Sequence, residues 1–336
     1  MDSSYRAPPG IRRQYASDVI ISDTVLARGY AYASTDKGNN EPTLYTDGQQ
    51  PGDVIAEWHS RVTELTIAAK KVLAQNYHRK PRTTYVAGFS VPGYLARWQL
   101  ENRPDLYDGG TAWSGVLITP ERNMLTVLPT ALRNYPTFAA TGSPAAQQAI
   151  LDAGIPAGSE PTWAYSYRAF WDPIQRFLRE ELDPSYDGDT QAGHPFCASG
   201  SPDCEADYDL SARPPEVRDA ISRVSLTGRI GKPLLQIQGT LDTAVTPADS
   251  RHYAAMVANQ GRGRMTRLYE LEGGSHFEAR YSLHADLLRP TLPCFREAVP
   301  LLERWTKNDE LPPTSHLVTR DSSVDLLNTC DLTTQP

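Results

Sequence analysis

The chain has 336 residues, 40% of them apolar, enough to bury a large core either as two domains or as one α/β domain with an insertion. Its 33 lysines and arginines against 40 aspartates and glutamates give a net charge of −7 with no basic run, which argues against nucleic acid and against an anionic membrane surface as partners. No apolar run approaches the ~18 residues that a membrane span needs.

The start, MDSSYRAPPGIRRQYAS, is polar and lacks the apolar core of a secretory signal. Residues Val25 to Ser34, VLARGYAYAS, read as a helix end, a stop at Gly29 and a short buried strand. After a polar Gly/Asn/Pro-rich connection, Val54, Trp58, Val62, Leu65, Ala69 and Val72 recur at helical spacing and predict a helix from Asp53 to Tyr77. A strand over Thr84 to Ala87 follows, then a helix over Tyr94 to Asn102 that Pro104 ends, then a strand from Gly109 to Ile118. This rhythm predicts a mostly parallel sheet with crossover helices.

The rhythm breaks after Thr119, where short helices, Pro/Gly turns and many aromatics replace the strands. It returns with PLLQIQG after Lys232, a helix over Pro247 to Asn259, a strand over Thr266 to Leu271 and a helix around Phe295 to Trp305. The expected organisation is therefore a core in two parts, 1–118 and 229–336, with an insertion over 119–228. A cap over an active site is one reading of that insertion; a second packing layer with no substrate role is the other.

Ser90 sits in TTYVAGFSVPGYLARWQ, at the corner between an apolar strand and a helix. A serine works as a nucleophile when a base takes its proton and donors receive the oxyanion. A tight strand-to-helix turn exposes the hydroxyl and aims the next backbone N–H, that of Val91, at the reacting centre. Such a turn is usually Gly-x-Ser-x-Gly, but Pro92 stands in place of the last glycine. That position falls in the first helical turn, where a proline is tolerated, and Gly93 supplies the close approach one residue later.

Two companions strengthen the reading. Asp242 follows the PLLQIQG strand, and His276 lies in Glu272-Gly273-Gly274-Ser275-His276 after the TRLYEL strand. The order Ser90, Asp242, His276, each just past a strand, is that of an α/β-hydrolase triad, with His276 as base and then acid and Asp242 holding its tautomer. The bland readings are a helix-capping Asp242 and a turn histidine at 276. Among the other histidines, His59, His78 and His252 are expected at the surface, His194 lies in the insertion and His316 near the C-terminus. His284 is the rival base, although its run looks helical. Four cysteines, with no zinc spacing, are expected as two disulfides, Cys197–Cys204 and Cys294–Cys330; four free thiols are the alternative.

Taken together, LARGYAYASTDKGN, YVAGFSVPG, YDGGTAWSG, GTLDTAVTP and GGSHF resemble the tannase/feruloyl esterase branch of the α/β-hydrolases, and Thr-Asp-Lys-Gly also resembles hydrolases of 3-hydroxybutyrate oligomers. The resemblance spans roughly Val25 to Trp305. It implies carboxylic ester hydrolysis, a lid, an extracellular setting and the triad Ser90, Asp242, His276. Two departures stand out. Tannase-type enzymes join the neighbours of the serine and the histidine by a disulfide, whereas here those neighbours are Phe89 and Phe277. Such folds also open with two or three further strands, one of whose loops gives the second oxyanion donor. No HGGG-type segment precedes Val25, so those strands are expected to be missing and Gly10 or Gly38 is the candidate donor.

Lids of that family can bind calcium, and Asp183, Asp187 and Asp189 have oxygen ligands at short spacing, although a solvated acidic turn is the expected reading. No cofactor is expected, and the expected partner is a small ester. Phe89, Trp163, Tyr165, Tyr167, Phe170 and Trp171 are the candidate substrate contacts. An ester hydrolase with an acyl-enzyme intermediate is the leading function; a peptidase or amidase with the same triad, and a noncatalytic ligand-binding relative, are the alternatives.

Overall fold

The computed structural model of the chain describes residues 17–37, 52–183 and 208–334. Gly10, Gly38, Asp187, Asp189, His194, Cys197 and Cys204 lie outside the described residues. In chain order the elements are α1 (Ser17–Leu26), α2 (Asp53–Tyr77), β1 (Tyr85–Phe89), α3 (Val91–Asn102) and β2 (Gly109–Trp113). A helical stretch follows: α4 (Met124–Thr141), α5 (Pro144–Ala153), α6 (Glu160–Ser166), a π-helical turn over Tyr167–Trp171, α7 (Asp172–Leu182) and α8 (Pro215–Arg223). The chain then returns to β3 (Leu234–Gly239), α9 (Pro247–Asn259), β4 (Thr266–Leu271), α10 (Leu292–Asn308) and β5 (His316–Val318).

The five strands pair in parallel and in sequence order, β1-β2-β3-β4-β5. One apolar core lies between the sheet and α2, α3, α9 and the helices of the β2–β3 connection. A second lies on the opposite face, where α10 and Ile21 of α1 cover Trp113, Leu235, Ile237 and Tyr269. A sheet covered on both faces has fully buried central strands, as β2 and β3 are. The glutamines of LLQIQG are buried with them and are satisfied: Gln236 accepts from Arg97 at 2.7 Å, and Gln238 accepts from Ser250 at 2.8 Å.

Several expectations need correction. Tyr30 to Ser34 form no strand. Tyr30 instead packs its ring 6.0 Å from Tyr85, and its hydroxyl, together with Arg28, donates to Glu303 of α10. The alternating Tyr/Ala run has strand propensity but spends it on side-chain contacts, leaving β1 at the sheet edge. The strand begun at Gly109 stops at Trp113, because Ser114 takes a left-handed φ of 43° that breaks the ladder. The helical stripe of α2 is buried only in its first half; Val72 is 53% exposed, since α3 crosses over the N-terminal turns alone. The described residues also include the pair Cys294–Cys330 as a disulfide.

His59, expected at the surface, is buried in the α2–α3 seam. Its ring stacks on Trp98 at 3.9 Å and bonds to the Tyr94 hydroxyl at 2.7 Å. Periodicity gave the stripe but not its width. Burial pushes the imidazole down to about 3, so it stays neutral. At the start of α2, Glu181 accepts the Val54 N–H at 3.0 Å, and burial pushes its carboxyl up to about 7.

These two groups give opposite pH dependences. Below about pH 6.5 the unfolded chain protonates His59 and the native chain does not, so stability falls as pH drops toward 3. Between about 4.5 and 7 the native chain holds a proton on Glu181 that the unfolded chain releases, so stability falls as pH rises. Denaturant unfolding of His59→Phe is expected to lose roughly 2–3 kcal/mol of the acid-side slope between pH 6.5 and 4. Glu181→Gln is expected to gain roughly 2 kcal/mol at pH 7.5 relative to pH 4.5. Variant curves parallel to wild type would contradict both assignments.

Candidate active site

β1 ends at Phe89 and α3 begins at Val91, so Ser90 alone makes the corner, at φ 64° and ψ −126°. That backbone is strained for a residue with a Cβ and persists because its surroundings fix it. Ser90 N–H donates to Trp113 O at 2.9 Å, and Ser90 O accepts from Gly93 at 2.8 Å and Val116 at 3.2 Å. A Cβ on Gly88 would stand 2.1 Å from Pro92 O, and one on Gly93 would stand 2.6 Å from Gly115 Cα. Close approach is thus needed at 88 and 93, not at 92. Pro92 occupies the first turn of α3, where its missing N–H breaks no helical bond.

Asp242 and His276 arrive on neighbouring loops at the same end of the sheet. Gly239 and Gly274 touch backbone to backbone: a Cβ on Gly239 would stand 2.4 Å from Gly274 C. Leu241 N–H then donates to Gly274 O at 2.8 Å, and Thr240 N–H to Leu271 O at 2.9 Å. Asp242 is fully buried. Its Oδ1 accepts the N–H groups of Ala244 and Val245 at 2.9 and 2.8 Å, which leaves Oδ2 for His276 Nδ1 at 2.8 Å. With Asp242 as acceptor, Nδ1 carries the proton and Nε2 is free to accept from Ser90 Oγ, 3.1 Å away.

A serine at a strand-to-helix corner, an aspartate after a third strand and a histidine after a fourth, all on a parallel sheet flanked by helices, decide the architecture. The fold is that of the α/β-hydrolases. No family model and no curated protein matches the chain. Similar solved structures include feruloyl esterase B from Aspergillus oryzae, at 12% identity over 86% of this chain and 72% of that one, TM-score 0.48. An esterase from Aspergillus oryzae is 13% identical over 72% of this chain and 61% of that one, TM-score 0.40. Acylaminoacyl peptidase from Pyrococcus horikoshii is 11% identical over 73% of this chain, which spans only 28% of the peptidase, TM-score 0.38. These likenesses are loose, and the fold assignment rests on the sheet order and the corner.

The β2–β3 connection bears directly on the acid loop. Thr243, next to Asp242, bonds to Ser166 Oγ at 2.7 Å through its hydroxyl and accepts from Trp171 Nε1 at 2.9 Å through its carbonyl. The π turn that follows α6 sets Phe170 5.7 Å from the His276 ring. Phe89 lies 4.6 Å from that ring and Phe277 lies 5.2 Å from it, so the imidazole is walled by phenylalanines. Of the other candidate contacts, Tyr165 lies edge-on to Phe277 at 5.2 Å. Trp163 and Trp171 are instead fully buried, their N–H groups bound to Ser159 Oγ and Thr243 O, and Tyr167 packs on Tyr135 at 4.6 Å. Composition flagged these aromatics together; only the fold sorts those at the triad from those in the core.

His284 ends the 3-10 segment Glu278–Leu283 and touches none of the three residues. Val91 N–H, the first of α3, has no carbonyl four residues back within the helix and stands at the positive helix end, next in the chain to Ser90. Asp183 is taken up by Arg213 at 2.6 Å and the Tyr208 hydroxyl at 3.1 Å, and the described residues hold no cluster suited to a metal ion. A cavity of about 310 Å³ lies elsewhere, between α4 and the Tyr208–Ser211 loop.

Gly93→Ala is expected to cost more than about 3 kcal/mol or to abolish folding, because the clash is with backbone that has nowhere to move. Pro92→Ala is expected to cost less than about 1 kcal/mol, mainly by freeing the unfolded chain. Thermal melts of the two variants check the assignment, and an equally severe Pro92→Ala would refute it.

Proposed function

We propose that the chain is a serine hydrolase that cleaves a carboxylic ester through an acyl-enzyme, acting on an aromatic or hydroxyacyl ester. The observation that carries the reading is the unbroken relay from Ser90 Oγ to His276 Nε2 at 3.1 Å and from His276 Nδ1 to Asp242 at 2.8 Å. Ser90 gives its proton to Nε2 as Oγ bonds to the carbonyl carbon. The carbonyl oxygen becomes an oxyanion, which the Val91 N–H receives. His276 then returns the proton to the leaving alkoxide, and the alcohol departs as the acyl-enzyme forms. Water attacks next, with His276 again as base, releasing the acid and restoring Ser90. Through both steps Asp242 holds the tautomer and balances the imidazolium charge.

A noncatalytic descendant would have no use for a serine held at φ 64°, a conformation that costs about 1–3 kcal/mol. The phenylalanines around His276 favour an apolar or aromatic substrate part over a polar one. The Cys294–Cys330 disulfide fits an oxidising, extracellular compartment. No described helix is long and apolar enough to cross a membrane.

A fluorophosphonate probe is expected to label Ser90 and to leave Ser90→Ala unmodified. On p-nitrophenyl butyrate, Ser90→Ala and Asp242→Asn are each expected to lose about 10⁴-fold or more in kcat. A wild type that takes no label and turns over no ester would end the proposal.

A further inference from the structure

Arg280 lies four residues past His276, in the 3-10 segment Glu278–Leu283. Its guanidinium carbon stands 3.3 Å over the centroid of the Tyr165 ring, so the plane is stacked on a residue of α6. Tyr165 in turn meets Phe277 edge-on at 5.2 Å, and Phe277 meets both Phe170 and His276, at 5.4 and 5.2 Å. Arg280 therefore sits at the rim of the aromatic wall that surrounds the base.

Arg122 and Arg213 offer the contrast: also partly buried, each holds a carboxylate, at 2.5 and 2.6 Å. Arg280 has no carboxylate partner among the described residues; Tyr165, through its ring and its hydroxyl, is the side chain that acts on its charge. Burial lowers its hold on the proton, as it does for a cation that has lost part of its water. A guanidinium has five N–H donors, so one that covers a ring with its face and gives one bond to a tyrosine still has N–H groups for the two oxygens of a carboxylate. A chain with net charge −7 does not lack for carboxylates, yet none among the described residues is directed here.

The reaction fixes which part of a substrate reaches this spot. His276 delivers its proton to the leaving oxygen, so the alcohol part lies against the imidazole and its loop, the loop that carries Arg280. We propose that Arg280, stacked on Tyr165, binds a carboxylate carried on the alcohol part of the ester and makes anionic esters the preferred substrates. This inference rests on the serine-hydrolase reading and specifies its substrate class.

The test compares 3- and 4-acetoxybenzoate with their methyl esters, which share the acetyl group and the aromatic alcohol but lack the charge. Wild type is expected to prefer the anions in kcat/KM by about tenfold or more, and added NaCl is expected to erode that preference. Arg280→Gln is expected to lower the anion-to-neutral ratio about 10- to 100-fold, mostly through KM, and Arg280→Lys to restore part of it. Equal loss on charged and neutral esters would make Arg280 a staple between α6 and the histidine loop, and the proposal would fall. So would a wild type without an anion preference or without salt dependence, a measurement that needs no variant to fold. A chain that labels with fluorophosphonate yet shows no preference fails here alone, whereas one that neither labels nor hydrolyses the neutral esters fails at the triad.

Discussion

Two backbone contacts with no side chain between them hold the site together: Gly93 on Gly115 and Gly239 on Gly274. The first lets α3 approach the segment after β2 closely enough for Val116 N–H to reach Ser90 O. The second brings the loop after β3 against the loop after β4, so that Asp242 and His276 meet across a 2.8 Å bond. A methyl group at either place would push the loops apart by more than the tolerance of a hydrogen bond. The chemistry is therefore set by where the backbone is allowed to touch. Pro92 is compatible with a nucleophile corner for the same reason, since the contact that demands glycine falls at 93.

Two buried polar residues, Arg97 and Thr243, do the next part of the work by joining separate elements. Arg97, fully buried, donates to the carbonyls of Gly115 and Val116 at 2.7 and 3.2 Å, to Gln236 at 2.7 Å and to Ser250 at 3.0 Å, with its guanidinium 4.5 Å over Tyr253. Desolvation pushes it down to about 10, still protonated at neutral pH. It thus ties the segment behind the serine to β3 and α9. Thr243 does the same on the other side, linking the acid loop to Ser166 and Trp171. The helices between β2 and β3 are in this way mechanically joined to Asp242 as well as lying over His276.

Much of this was legible because strand ends and glycines leave marks in sequence. The bounds of α2, α9 and β4 follow from periodicity and from their flanking glycines and prolines, and Ser90, Asp242 and His276 each follow a recognisable strand. Features that depend on a partner element were not legible. Tyr30 to Ser34 have strand composition but form no strand, and His59 is buried by a helix that approaches from elsewhere in the chain. Trp163 and Tyr165 are two residues apart in one helix, yet one is core and the other faces Phe277. The three residues of β5 are too short to carry a pattern at all.

Phe89 and Phe277, the neighbours of Ser90 and His276 in the sequence, bear on how the imidazole is held. A disulfide there would fix the backbones of two loops and stabilise them by about 2–4 kcal/mol, with no hold on the imidazole itself. Phe89, Phe170 and Phe277 contact the ring directly, and aromatic contacts of this kind contribute about 0.5–1.5 kcal/mol each. The Gly239–Gly274 contact sets the aspartate loop against the histidine loop, and between the serine corner and the histidine loop the contact of Phe89 with the His276 ring is a link of its own. The same apolar wall excludes water from the imidazole and leaves Asp242, with its two N–H bonds from Ala244 and Val245, as the countercharge when His276 takes a proton. In a dry site that single carboxylate weighs more than it would in water, and its complete burial is what makes it effective.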